Sequence, residues 1–390
     1  MNRIFEWLSK STKDGARLEH KNVTGSLVAF HSGGVASWPF MELPNRAHHN
    51  FCNNPVVYRC VQMISEAAAS ISLLAKENNV EFNVHPILEL LAKPNDLQTG
   101  PKFLECLYGH LFISGNAFIV ASSVDTQTRE LHLLDPVQVE VVLDEKGWSI
   151  AYEHKVGSQV ERFNLDEILN LSLFNPGENY KGLSPISSAA MAIDIHNAAS
   201  SWNKALLDNS ARPSGALVYA PSSGDNLTQD QFTRLKQELE EGYTGATNAG
   251  RPMLLEGGLD WKAMGFSPKD MDFLEAKNGA AREIALAFGI PPMLLGIPGD
   301  NTYSNYQEAN RAFWRQTILP LAAKTAMDIG KWLSPHYEDN ISLAINKSEL
   351  DIFAADREKH WQRIGQADFL TTNEKREALG FPALAGLDEI

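Results

Sequence analysis

Apolar residues first recur at helical spacing after Asn54-Pro55, where Val57, Val61, Ile64, Ala68 and Ile71 fall on one face of the run VVYRCVQMISEAAASISLLA. A second helix is predicted over 101–114 (PKFLECLYGHLFIS) as its packing partner. From 116 to 174 the period changes. NAFIVASSV, ELHLLDPVQVEVVLD, WSIAYEHKV and EILNLSLF are short Val/Ile/Leu-rich runs divided by Gly, Asp and Pro, which predicts a block of β-hairpins.

A long helix follows over 184–211, with Ser184 as N-cap, Pro185 at the first helical position and Pro213 beyond its end. Its many Ala and Ser residues make a slim surface. The next segment, to Ser267, reads as a small α/β insert. It holds a strand (GALVYA), a helix opened by a Thr228-x-x-Gln231 capping box, and a hairpin MLLEGGLDWKAM turning at Gly257-Gly258. Another helix runs from Ser267-Pro268 to Phe288 and stops at Gly289, Pro291 and Pro292.

Beyond the loop GIPPMLLGIPGDNTY, Ser304-x-x-Gln307 predicts a capped helix running through Pro320 to about Leu333. Pro320 has no N–H and its ring meets the carbonyl four residues back, so a kink is expected there. A strand at ISLAINKSEL and two tail helices complete the pattern, the second beginning at Thr372. Residues 1–50 show no period and read as an irregular arm, with order beginning near Asn54. The fold class is therefore α+β, and 390 residues at the usual ~100–200 per domain imply two to four substructures.

Charge narrows the function classes. Lys+Arg 34 against Asp+Glu 48 gives a formal net charge of −14, the wrong sign for a protein that grips DNA by neutralising phosphates. Such a balance suits a surface past which DNA slides. Hydrophobic residues at 44% and charged residues at 21% are globular values. Three cysteines (Cys52, Cys60, Cys106) without C-x-x-C spacing argue against a disulfide framework or zinc site and fit a reducing compartment. The first residues lack the apolar core of a signal peptide, and no run of ~18 apolar residues is present to span a bilayer, so the protein is expected to be made and kept in the cytoplasm.

Catalytic motifs are sparse. The P-loop, H-E-x-x-H and G-x-S-x-G patterns are absent, so no ATP hydrolysis is expected of this chain. Ser201-Trp-Asn-Lys204 has S-x-x-K spacing, but a Ser–Lys hydrolase also needs a desolvated lysine and S-D-N and K-T-G partners. His48-His49 lack companion ligands, and no metal or other cofactor is expected. Trp202, Trp261, Trp314, Trp332 and Trp361 are scattered over different elements, as core or contact residues would be, rather than forming a base-stacking platform. The acidic KQELEE run is a solvated helix face or, since it lies in the insert, a partner surface.

The order of elements is more specific than any motif. YKGLSPI opening a long helix closed by NSARPSG, an insert ending RPMLLEGGLDW, a second long helix, I-P-P-x-L-L-G, YSNYQEANRAF and finally FLTTNEKREALGFP resemble the portal proteins of tailed bacteriophages. Within that family the pattern is most similar to siphovirus-type portals, those of alphaproteobacterial gene transfer agents and related prophages. The resemblance spans about residues 50–385 and implies a ring, usually dodecameric, at one capsid vertex of a virion assembled in the host cytoplasm.

It further implies a portal fold. Residues 51–183 would form a wing, 184–211 and 268–289 the stem helices, 212–267 a clip, and 290–303 a tunnel loop. The kinked helix and further wing would be 304–350, and a helical crown 351–390. Gly299, Asp300, Asn301, Thr302, Tyr303 and Asn305 would then face DNA, and Gln231, Arg234, Lys236, Glu238 and Glu241 a clip partner. Implied partners are further copies of the chain, double-stranded DNA, the large terminase, a head–tail adaptor and the major capsid protein, with no membrane, no cofactor and no catalysis. Another head–tail connector or assembly protein, or an α+β Ser–Lys hydrolase, are the alternatives. Small adaptors lack the helix, insert, helix and loop plan.

Overall fold

The structure is a computed structural model. It describes residues 43–77, 80–124, 127–178, 180–208, 215–219, 228–230, 233–234, 237, 259–263, 273–299, 303–337, 341–381 and 383–384. Two compact units divide the chain, one holding 1–39 and 206–267, the other 40–205 and 268–390.

The larger unit is built on helices α1 (Leu43–Asn53), α2 (Pro55–Ala69), α3 (Pro86–Ala92) and α4 (Gly100–Ser114), followed by the strand-rich block. Asn54 caps α2 through its side-chain oxygen, which accepts from Val56 and Val57 N–H, with Pro55 at the first helical position. Two expectations are corrected here. Residues 43–50, assigned to the irregular arm 1–50, belong to a helix that runs on to Asn53, and His48 and His49 lie on it. The helix from Pro55 stops at Ala69, short of Ile71, and the chain turns at Ser70 into strand β1 (Leu73–Glu77). Ile71 is buried all the same. It extended an apparent helical period because it enters the core from the turn.

β1 is central in an antiparallel sheet, between β2 (Val80–Phe82) and β11 (Ser342–Ile345), so the predicted late strand pairs with a segment more than 260 positions earlier. The block 116–174 is two antiparallel sheets. In one, β3 (Asn116–Val124) lies between β4 (Gln127–Leu134) and β8 (Ile168–Ser172); in the other, β6 (Ser149–Val156) lies between β5 (Val139–Leu143) and β7 (Gln159–Asn164). Phe118, Tyr152 and Ile168 pack a small core of their own, with Phe118 edge-on to Tyr152.

The principal core joins Ile64 of α2, Phe103 and Leu107 of α4, Ile193 of α6 (Ala190–Asp208), Ile284 of α7 (Phe273–Ala287), and Ile318 and Ile329 at and beyond the α8–α9 junction (α8 Tyr303–Phe313, α9 Leu319–Leu333). Each such side chain, fully withdrawn from water, stabilises by ~1.5–3 kcal/mol. The tail forms α10 (Ala354–Gly365) and α11 (Thr372–Ala378), the latter opened by a Thr371–Glu374 capping box.

The segment YKGLSPI shows why the long helix begins where it does. The N–H of Gly182 donates to Asn116 Oδ1 at 2.8 Å, and the Asn116 amide donates to Asn170 Oδ1 at 2.8 Å and to the Tyr180 carbonyl at 3.2 Å. Ser184 donates to the Phe112 carbonyl at 2.7 Å while accepting from Ile186 N–H, and Ile186 is buried. A methyl on Gly182 would overlap the carbonyl of Gly115, so the two backbones meet only because neither carries a side chain. The long helix is not continuous: a single turn, α5 (Pro185–Ser188), is separated from α6 at Ala189.

In the smaller unit the described strands β9 (Gly215–Tyr219) and β10 (Leu259–Ala263) pair antiparallel, Gly215 opposite Ala263 and Tyr219 opposite Leu259. This agrees with the strand read at GALVYA. The Gly257-Gly258 turn and the Thr228-x-x-Gln231 capping box involve positions outside the described residues.

Candidate functional site

The segment that leaves α7 towards α8 is tied down at several points between Phe288 and Pro298. Gly289 ends α7 in the left-handed region (φ 66°), and Ile290 N–H folds back to the Ala285 carbonyl at 2.9 Å, burying Ile290. Pro292 opens a short 3₁₀ turn, Pro292–Leu295, closed by Gly296 at φ 72°. Ile297 then drops back onto Ala281 and Ala285 of α7, forming a small apolar lock with Leu295 and Val56 at its edge. Phe288 stacks on Phe112 with centroids 6.0 Å apart.

A polar anchor comes from the far side. Pro320 lies in the first turn of α9, and the five residues before that helix, Trp314–Ile318, form a single π turn in which Leu319 N–H reaches the Trp314 carbonyl, five residues back. The widened turn is the helix's answer to a residue that can neither donate nor tolerate the carbonyl four positions back, so the regular helical ladder is interrupted by a π turn ahead of Pro320. Thr317 sits in it and donates its hydroxyl to the Gly289 carbonyl at 2.7 Å.

Arg282 supplies a third anchor, donating from its guanidinium to the Pro298 carbonyl next to Gly299. No Lys or Arg occurs between Phe288 and Asn310, yet the structure brings this guanidinium to the loop from a turn and a half up α7. Beyond the anchors, Gly299 is exposed. Asp300, Asn301 and Thr302 lie outside the described residues. Tyr303 opens α8 and Asn305 is exposed on its first turn. Ser304, expected as N-cap, is inside the helix, which opens at least one residue earlier.

Of the other candidates, Arg234 is exposed, while Gln231, Lys236, Glu238 and Glu241 lie outside the described residues. Ser201 and Lys204 are both exposed on α6, so the lysine lacks the desolvation a Ser–Lys nucleophile requires. Among the described residues no three His, Cys, Asp or Glu side chains are grouped to hold a metal, and no helix is long and apolar enough to cross a membrane. The tryptophans remain dispersed: Trp202 is tilted against Phe273, Trp332 donates to the Asp166 carbonyl at 2.9 Å, and Trp361 meets Phe381 edge-on.

Sequence reasoning did not reach a buried polar cluster beside this site. The amide of Asn54 donates to Asn197 Oδ1 at 2.9 Å and to His196 Nδ1 at 3.1 Å while its oxygen caps α2, so every polar atom of Asn54's side chain is engaged. Burial, aided by the charge of Lys277, holds the His196 imidazole below the ordinary histidine range. His196 follows the α6 helical period and reads from sequence as one more inward position.

The family model for phage portal proteins matches residues 55–380. The portal protein of Enterobacteria phage HK97 is 26% identical over 96% of this chain and 90% of its own length. Among solved structures, a chain from the neck of an empty GTA particle aligns with TM-score 0.72 and 44% identity over 93% of this chain and all of its own. One from the neck of a native GTA particle, computed with C12 symmetry, gives 0.70 and 45% over 89% and 95%. This chain belongs to the phage portal protein family.

Proposed function

We propose that the chain is the subunit of a ring at a capsid vertex through which DNA is packaged and released, as the portal reading implies. The observation that carries it is the likeness, along nearly the whole chain, to a component of a particle neck computed with C12 symmetry. Residues 184–211 and 268–289 then act as the stem, 212–267 as the clip that receives the large terminase and later the head–tail adaptor, and 351–390 as the crown. Residues 51–183 and 304–350 form the wing, on the side of the major capsid protein.

The loop 290–303 serves as a stiff finger directed at DNA in the channel. Its anchoring by Thr317, Arg282 and Ile297 supports that reading, because a part that contacts a moving polymer must keep its shape under load. The role is mechanical, with ATP hydrolysis left to a separate motor. Electron microscopy and native mass spectrometry of the purified chain test this: rings of about twelve copies with an open axis are expected, whereas a monomer at every concentration and salt tried would refute it.

A further inference from the structure

Several helix cations of the larger unit have a carboxylate one or two turns away. Arg59 stands 4.0 Å from Glu66, Lys102 3.1 Å from Glu105 and Arg311 3.1 Å from Glu308. Arg282 differs. The positions three and four residues either side of it on α7 are Asn278, Gly279, Ala285 and Leu286, none of which carries charge. Its guanidinium is exposed, makes no ion pair among the described residues, and is held by the carbonyl of Pro298 alone.

That acceptor is neutral, so the hydrogen bond fixes the guanidinium without cancelling its charge. Only Nη2 is engaged, which leaves the other edge of a five-donor fork open. The adjoining residue keeps that surface clear: a Cβ at Gly299 would stand 3.2 Å from the same Nη2, and Gly299 has none. In a chain of net charge −14, a pinned and uncompensated cation therefore lies at the exposed end of a segment that has no Lys or Arg from Phe288 to Asn310.

We propose that Arg282 is the phosphate contact of this loop, one edge of its guanidinium staying on the Pro298 carbonyl while the other takes a phosphate oxygen of double-stranded DNA. The inference rests on the ring reading above and adds the residue through which a loop without cations of its own meets a charged polymer. The Pro298 bond holds the fork in place beforehand, so little side-chain freedom is lost when phosphate arrives. A guanidinium suits the task because it can offer two parallel N–H groups to one phosphate. One such contact per subunit is weak and reads no base, so a duplex can leave it and remake it while sliding.

The test uses rings of the full-length chain and of its Arg282→Ala and Arg282→Lys variants, each titrated with a short fluorescent DNA duplex over a salt series and followed by anisotropy. The same titrations are repeated with a duplex whose linkages are neutral methylphosphonates. Arg282→Ala is expected to weaken binding of the natural duplex about threefold at low salt and to lower the salt slope by about one for each guanidinium in contact. Arg282→Lys should restore the slope, because the charge returns, with affinity between the other two. On the methylphosphonate duplex the parent and Arg282→Ala should bind equally.

Equal affinity and equal salt slope for the parent and Arg282→Ala on the natural duplex would overturn the assignment while the ring reading stands. So would parent rings that bind no duplex at low salt. A difference that persists unchanged on the methylphosphonate duplex also overturns it, since Arg282 would then act on DNA only through the shape of the loop. If the parent protein forms no ring at all, both readings fall together.

Discussion

The hydroxyl of Thr317 donates to the carbonyl of Gly289 at 2.7 Å, joining the end of α7 to the π turn before α9 across 28 positions of sequence. Gly289 must be in the left-handed region, and a Cβ there would stand 2.9 Å from Thr317 Oγ1. Thr317→Val, nearly isosteric, should cost about 1 kcal/mol through the lost hydrogen bond. Gly289→Ala should cost more, about 1–2 kcal/mol for its φ alone. Differential scanning fluorimetry should therefore rank the melting temperatures as parent, Thr317→Val, then Gly289→Ala; equal values would show that this tie does not hold the loop.

Arg282 makes a separate prediction. Its guanidinium occupies the Pro298 carbonyl, so Arg282→Ala should loosen the loop tip with little effect on the fold, since Arg282 is exposed. Hydrogen exchange over 298–303 should rise while exchange in α2 and α4 stays the same. Unchanged exchange at 298–303 would show that the anchor is not needed.

Charge at the loop tip should matter to DNA. Replacing Asp300, Asn301 and Thr302 together by Lys would add three cations per subunit where the segment has none, creating phosphate contacts whose strength falls with salt. Packaging should slow and packaged DNA shorten, with partial recovery at higher ionic strength. Particles with full-length DNA at the normal rate would mean that these residues do not meet DNA.

The buried histidine predicts a pH response. The fold holds His196 neutral, since its Nδ1 accepts from Asn54, and protonation would set two donors against each other. With its pKa lowered in the folded state, the site's stabilisation is complete above the ordinary value of 6.5 and is lost as pH falls from there towards the lowered value. His110, whose pKa burial also lowers, acts in the same sense. Melting temperature should thus drop as pH falls below the ordinary histidine value of 6.5, and His196→Gln should reduce that drop. An identical pH profile in His196→Gln would show that the site contributes nothing to it.

At the start of the long helix, Gly182→Ala should be among the most damaging single substitutions in the larger unit, because the added methyl meets backbone rather than a flexible side chain. Soluble yield measures this; a normally soluble, normally melting Gly182→Ala protein would contradict the packing described at Gly115.

Elements governed by local chemistry were legible in the sequence. Ser184-Pro185, Gly289 with its two prolines and the helix start at Thr372 all stand where turn and cap residues put them. What could not be read was set by contacts between distant segments. β1 is a strand because β11 pairs with it, and Ile71 imitated a helical position. Helix 43–53 is polar on average, its single apolar stripe (Leu43, Ala47, Phe51) broken by His, Asn and Arg, and it packs on α2 and α4. Pro320 announced a disturbance, but the Thr317–Gly289 tie it makes room for depends on two helices meeting. The portal resemblance came from element order, which survives such local misreadings.

The most direct test of the account images the particle itself. Cryo-electron microscopy of DNA-containing particles assembled with a C-terminally tagged chain should show the tag at a single vertex, in a ring around an axial channel containing DNA. Tag density distributed over many vertices, or a ring closed on its axis in particles that had packaged DNA, would contradict it.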